Sequence, residues 1–248
     1  MRDPQSDRTA PAQRRILEQD AILRLLVRAT ARDTGADFFR ALVHNLAEVL
    51  GTFGAWITEY DPATRRLRAL AFHMNGEFIE WEAAIDGTPC AVVIDGARLV
   101  HLPDRLLELY PNDPDLRKAN AVSYMGVPLQ DPSGTVVGHF AILDTRPMPE
   151  DPRIVAVLQL FAERAAAELL RLRAEREVRE REERLAGLVG GAMDAIVELD
   201  DELRLTLANP AAERTFDRPA ARLIGSSLRE LLVPESAERV IALARDLA

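Results

Sequence analysis

Chemistry in this chain would have to come from a short roster of side chains: one cysteine (Cys90), four histidines (His44, His73, His101 and His139) and one lysine (Lys118). The Cys90 thiol could serve as a redox sensor or a nucleophile, but its neighbours Pro89, Ala91 and Val92 place no cation beside it to lower its pKa. With no second cysteine it forms neither an internal disulfide nor a multi-cysteine zinc site. The plainer reading is a small buried thiol filling core space. None of the histidines is spaced from its nearest neighbour like a metal-binding pair. A haem needs only one axial imidazole, however. His139 is the best placed of the four, because it shares one face of a strand pattern with Val137, Ala141 and Leu143. The plainer reading of His139 is again structural, a packed or hydrogen-bonded strand histidine. His44, between Val43 and Asn45 with no acidic follower, does not read as a phosphoacceptor. Lys118 follows Arg117, which excludes the Gly-Lys-Ser/Thr of a phosphate-binding loop, and it has no Val-Ala-Ile-Lys context of a protein kinase. Neither His-Glu-x-x-His nor Gly-x-Ser-x-Gly occurs. The expectation is a chain without catalysis of its own, the alternative being a thiol-dependent enzyme acting through Cys90.

Composition narrows the class further. At about 150 residues per domain, 248 residues make one domain and part of a second. Hydrophobic residues at 48% and charged residues at 29% fit a soluble globular protein, and aromatics at 5% leave the core to Leu, Val, Ile and Ala. A net charge of −9 opposes a phosphate backbone, so direct nucleic-acid binding is not expected. Apolar runs such as Cys90 to Ile94 are far short of a membrane span. Residues 1–15 carry no apolar core and read as a disordered lead, not a signal peptide. A cytoplasmic location follows from these features and from the single thiol.

The elements that must position these side chains follow from periodicity. Residues 16–30 place apolar side chains at near-helical spacing, and Thr34 with Asp37 resembles a capping box. Phe39, Leu42, Val43, Leu46, Val49 and Leu50 predict an amphipathic helix that stops at Gly51. Strands are predicted over 55–60 and 67–74, joined by a turn at Asp61-Pro62-Ala63-Thr64, with a mixed segment over 75–96 and a short strand over 99–102. A loop at Pro111 to Pro114 leads to a short helix through Asn120. Strands 124–129 and 136–143 then form a hairpin around Asp131-Pro132-Ser133-Gly134.

Asp151-Pro152 opens a helix with no breaker before Gly187, roughly 50 Å at about 1.5 Å per residue. Its first half is apolar on one face. Its second half, Arg171 to Arg184, carries six arginines and five glutamates, several at the favourable four-residue spacing. Beyond it, strands over 195–199 and 203–208, short helices after Asn209-Pro210 and Pro219, and a final helix over 234–248 are expected.

Two stretches carry a resemblance. Gly87-Thr88-Pro89-Cys90 with its apolar run, and Ser123-Tyr124-Met125-Gly126-Val127-Pro128-Leu129 followed by Gly138-His139 and Leu143-Asp144, resemble one subfamily of GAF sensor domains in bacterial signalling proteins. Met193-Asp194-Ala195-Ile196-Val197, Asn209-Pro210-Ala211-Ala212-Glu213 and Leu223-Ile224-Gly225 resemble the front half of a PAS domain. The implied fold class is α+β: a GAF-like antiparallel sheet over 16–170, a charged signalling helix over 171–184 and a truncated PAS-like module over 185–248. Because a two-stranded sheet alone is marginal, the expectation is that the chain is the sensory piece of a longer protein, the alternative being a second module that is not stable by itself. The domain order resembles the sensory region of transcription activators similar to the formate-hydrogenlyase activator. Comparable sensor pairs also precede histidine kinases and nucleotide cyclases.

The resemblance also sets expectations for ligands. Bilin-binding GAF domains usually place a histidine after their cysteine, where this chain has Ala91. The Asn-Lys…Phe…Asp-Glu signature of cyclic-nucleotide GAF domains is absent, and the PAS-like half lacks the cysteine motif of flavin binders. Bilin, cyclic nucleotide and flavin are therefore not expected, and no cofactor is required. A different small ligand would sit on the sheet face under the 75–96 segment, with Trp56, Phe72, Trp81, Cys90, Tyr124, His139 and Phe140 as candidate contacts. The plainer reading of those aromatics is core packing. The apolar stripe and charged outer surface of helix 151–184 lead us to expect homodimerisation through that helix. A solvated single helix is the plainer alternative.

Overall fold

The computed structural model describes residues 34–233 and 235–240. The expected lead over 1–15, the helix over 16–30 and most of the last helix over 234–248 lie outside the described residues, although 235–240 are helical. The chain divides between Arg173 and Ala174 into two compact units.

In the first unit the three- and four-residue recurrence of Phe39, Leu42, Val43 and Leu46 builds α1 (Gly35–Leu50) with those side chains buried. Gly51 ends it in the left-handed conformation, its N–H returning to the Ala47 and Glu48 carbonyls. The capping box does not form: Thr34 makes no side-chain cap. Instead the Gly35 N–H donates to the Glu168 carboxylate, from a distant helix.

Seven strands make one antiparallel sheet: β1 (Gly54–Asp61), β2 (Arg66–Met74), β3 (Glu77–Phe78), β4 (Glu82–Ala84), β5 (Val100–Leu102), β6 (Ser123–Gln130) and β7 (Val136–Asp144). Their order is β3-β2-β1-β7-β6-β5, with β4 pairing β2. The alternation of strand side chains gives the sheet two apolar faces. On one, Ala55, Ile57, Met125, Val127, Phe140 and Ile142 pack against α1 and the long helix α5 (Pro152–Gly191), which buries Leu158, Phe161, Ala162, Ala165 and Leu169. On the other, Trp56, Phe72, Tyr124, Ala141 and Leu143 meet Cys90, Val93 and Ile94 of α2 (Pro89–Gly96), with Leu106 and Leu116 from α3 (Leu106–Leu109) and α4 (Pro114–Lys118). The 75–96 segment thus resolves into two short strands and a helix capped by Thr88. The short helix ends at Lys118, and Asn120 sits at φ 51 just beyond it.

Further sequence expectations are corrected. Val137 does not share the face of His139, Ala141 and Leu143. The β6/β7 pairing runs Leu129 with Gly138 and then Gln130 with Val136, so Val137 is a bulge residue and packs with the helix-side core. Phe140 is also on that helix side, one residue out of phase with His139. Finally, α5 does not break at Gly187 but runs to Gly191, because a solvated glycine costs a helix only about 1 kcal/mol and nothing there stops it.

The second unit holds β8 (Val197–Leu199) and β9 (Leu205–Ala208) in a two-stranded sheet, then α6 (Pro210–Phe216), α7 (Ala220–Leu223) and α8 (Leu228–Leu231). Leu205, Leu223 and Leu228 form its small core. The Asn209 side chain caps α6 by accepting from the Ala212 N–H and donates to the Val189 and Asp194 carbonyls. β9 starts at Leu205 and not at 203, because Leu203 occupies a turn at φ 58.

Candidate functional site

A cavity of about 270 Å³ lies on the face of the sheet opposite α1 and α5. Alternation on β1, β2 and β6 presents Trp56, Phe72 and Tyr124 to it, while the linker between β3 and β4 supplies Trp81 and the first turn of α2 supplies Cys90. Trp56 and Phe72 stack at 4.9 Å between centroids, Trp81 tilts against Phe72 at 5.2 Å, and Tyr124 tilts against Trp56 at 6.1 Å. Such offset ring contacts contribute about 0.5–1.5 kcal/mol each beyond area burial. The Trp81 indole N–H donates to Asp115 Oδ2 at 2.8 Å, tying the linker to α4.

Asp113 sits at the start of α4, where its Oδ1 accepts from the Asp115 and Leu116 N–H groups. Burial pushes its carboxyl above the usual range, and the neighbouring Asp115 adds to the rise. Thr88 caps α2 in the same manner, accepting from the Ala91 N–H and donating to the Ile85 carbonyl at 2.6 Å.

Cys90 is buried, and the Tyr124 hydroxyl donates to its Sγ at 3.9 Å. Burial pushes the thiol up to about 12 and holds the Tyr124 phenol well above its ordinary value. A thiol so protonated at neutral pH is a poor nucleophile.

His139 is fully buried but does not line the cavity. The Trp56 indole N–H donates to its Nε2 at 3.2 Å, and its Nδ1 lies 2.6 Å from Thr58 Oγ1. Indole nitrogen is a donor only, so Nε2 is the bare nitrogen and Nδ1 carries the proton toward Thr58. Burial alone depresses the imidazole to about 3. Both nitrogens being engaged, the ring buttresses Trp56 and has no vacant position for a metal.

Five of the seven sequence-named residues, Trp56, Phe72, Trp81, Cys90 and Tyr124, therefore line one cavity. His139 stands behind it and Phe140 packs on the far side of the sheet. Sequence reasoning missed Asp86, Asp113 and Asp115. Asp113-Pro114 is a helix-opening pair of the kind recognised at Asp151-Pro152, and that was the available signal.

Elsewhere, His44 on α1 meets His73 on β2, Nδ1 to Nε2 at 3.4 Å, although 29 residues separate them. His44 also lies 3.6 Å from Glu48, an acidic partner one turn along that the sequence reading overlooked. His101 Nε2 donates to the Met148 carbonyl at 2.8 Å. Among the described residues, no group of three or more His, Cys, Asp or Glu could hold a metal ion, and no helix is long and apolar enough to cross a membrane.

An antiparallel sheet backed by helices on one face, with a loop- and helix-covered cavity on the other, defines an α+β domain of the GAF type. Solved structures agree. The GAF domain of a phosphoenolpyruvate-protein phosphotransferase from Coxiella burnetii is similar at a TM-score of 0.56 and 16% identity, covering 65% of this chain and 98% of that one. The corresponding GAF domain from Acinetobacter is similar at 0.52 and 13%, covering 64% and 97%. Residues 189–248 match the family described as PAS fold. No curated protein matches the chain in sequence.

Proposed function

We propose that this chain is a sensory region: the GAF-type unit binds a small ligand, α5 carries the change, and the PAS-like stretch relays it to an output outside residues 1–248. The observation that carries this reading is the aromatic cavity of about 270 Å³, at the compact end of small-molecule sites. Signal transfer is supported by Arg173, whose guanidinium bonds Glu59 at 2.7 Å and the Tyr60 and Val137 carbonyls at 3.1 Å, fastening α5 to β1 and β7. An output resembling a transcription-activator ATPase is the first choice, with a histidine kinase or nucleotide cyclase as alternatives.

Pairing of two copies through α5 is supported by exposed Val178, Leu185 and Leu188, whose seven- and three-residue spacing suits a short coiled-coil seam. Catalysis through Cys90 is opposed by its protonated, buried thiol.

A thermal-shift screen of the full chain, followed by hydrogen exchange with the best stabiliser, tests the reading. A ligand that protects both the cavity walls and the 152–191 helix supports it. Protection confined to the walls refutes the relay, and thiol-dependent turnover lost in Cys90→Ser refutes the non-catalytic assignment. Sedimentation that stays monomeric at 100 µM refutes the pairing.

A further inference from the structure

The chemistry of the cavity wall is one-sided. Three carboxylates line it, Asp86, Asp113 and Asp115, and none of the lining residues is lysine, arginine or histidine. Asp86 already pairs with Arg65 at 2.9 Å, a guanidinium it shares with Asp95. Asp113 is only 9% exposed, and no cation pairs with it or with Asp115 among the described residues. A buried carboxylate without a counter-ion is costly, and a like-charged neighbour makes it more so. The same cavity is lined by Trp56, Phe72 and Trp81, side chains whose rings attract cations, and the Trp81 indole reaches Asp115 Oδ2 at 2.8 Å.

We propose that this cavity takes a compact organic cation, a quaternary or protonated amine on a short apolar body, held by the Trp56, Phe72 and Trp81 rings together with the Asp113 and Asp115 carboxylates. The inference rests on reading the cavity as a ligand site and adds the ligand's chemical class. Charge selects the sign, since an anion meets like charge and a neutral ligand leaves the carboxylates, hydrogen-bonded as they are, without a counter-charge. The volume of about 270 Å³ selects a small body over an extended one. The absence of any triad able to hold a metal, among the described residues, favours an organic cation over a divalent ion.

Both tryptophans of the chain line the cavity, so intrinsic fluorescence reads occupancy directly. Choline and its uncharged isostere 3,3-dimethylbutan-1-ol are titrated into the full chain at matched ionic strength, with 3,3-dimethylbutanoate and calcium chloride as further arms. Choline is expected to bind at least tenfold more tightly than the alcohol, a difference of about 1.4 kcal/mol, with no response to the anion or to calcium. Asp113→Asn and Asp115→Asn keep an acceptor and a helix-capping group while removing charge. Each should cut the preference severalfold, with the circular dichroism melt reporting folding. Should Asp113→Asn not fold, Asp115→Asn and the isostere comparison on the natural chain decide. An alcohol that binds as well as choline, a preference intact in both variants, or a calcium response matching choline would overturn the cation class while leaving a ligand site. Silence of both tryptophans to every compound that raises the melting temperature would overturn the site itself.

Discussion

Acid should unfold the first unit through His139. In the folded chain this imidazole is neutral, with Nε2 accepting from Trp56 and no solvent contact, and it takes a proton only near pH 3. In the unfolded chain it protonates near its ordinary value of 6.5. Between those values the unfolded state binds a proton that the folded state does not, so stability falls as pH drops from 6.5 toward 3, by about 1.4 kcal/mol per unit. At pH 5 the loss is about 2 kcal/mol, a large part of the 5–15 kcal/mol typical of a domain. The carboxylates held low by hydrogen bonds and arginines, such as Asp95 and Glu168, lose their contribution only as pH falls through their ordinary values of 3.8 and 4.5, below the pH 5 to 7.5 range in which His139 is tested. Buried His73, depressed by burial and by His44, adds in the same direction as His139. The comparison that isolates His139 is therefore natural chain against His139→Gln, by urea unfolding at pH 7.5, 6 and 5. Trp56 and Trp81 both belong to the first unit, so their fluorescence follows that unit alone. The variant should be less stable at pH 7.5 but lose about 2 kcal/mol less between pH 7.5 and 5. Equal slopes, or an imidazole seen by NMR to titrate near 6.5 in the folded chain, would refute the reasoning.

Three further outcomes are expected. Cys90, with its thiol near 12 against 9 for an ordinary one, should react with a disulfide reagent at pH 8 at least a hundredfold more slowly than after unfolding in urea. Gly138→Ala drives a Cβ into the Thr58 carbonyl, a backbone atom that cannot rotate away, and should cost about 3 kcal/mol by thermal denaturation. Arg173→Ala removes one ion pair and two carbonyl hydrogen bonds from the α5 anchor, for about 1–2 kcal/mol and faster hydrogen exchange at the adjacent end of β1.

What the sequence disclosed was set by how local each signal is. The period of Phe39, Leu42, Val43 and Leu46, and the turn residues Asp131 and Gly134 between two alternating runs, are readable because each element carries its whole pattern within a few residues. α2 was hidden because Cys90 to Ile94 is apolar throughout, and helix and strand periods cannot be told apart in so short a run. The Val137 bulge was illegible for a different reason. Strict alternation is the only rule available without a partner strand, and the extra residue is visible only against β6. Pairs such as His44 with His73, or Trp81 with Asp115, are created by the sheet order and leave no spacing to find.

That bulge also links the two faces of the sheet. Val137 turns toward the helix side there, and its carbonyl accepts from the Arg173 guanidinium of α5 at 3.1 Å, two residues from His139, which in turn accepts from Trp56 of the cavity wall. A displacement of Trp56 by a ligand would thus have a route to α5 through the His139 side chain, the β7 backbone and the Val137 carbonyl that does not require repacking the close-packed core between them, where small shifts meet stiff resistance. The chain His139, Val137, Arg173 predicts that Arg173→Ala leaves cavity binding intact while abolishing ligand-induced protection of α5. Loss of binding and protection together would place the coupling in the core instead.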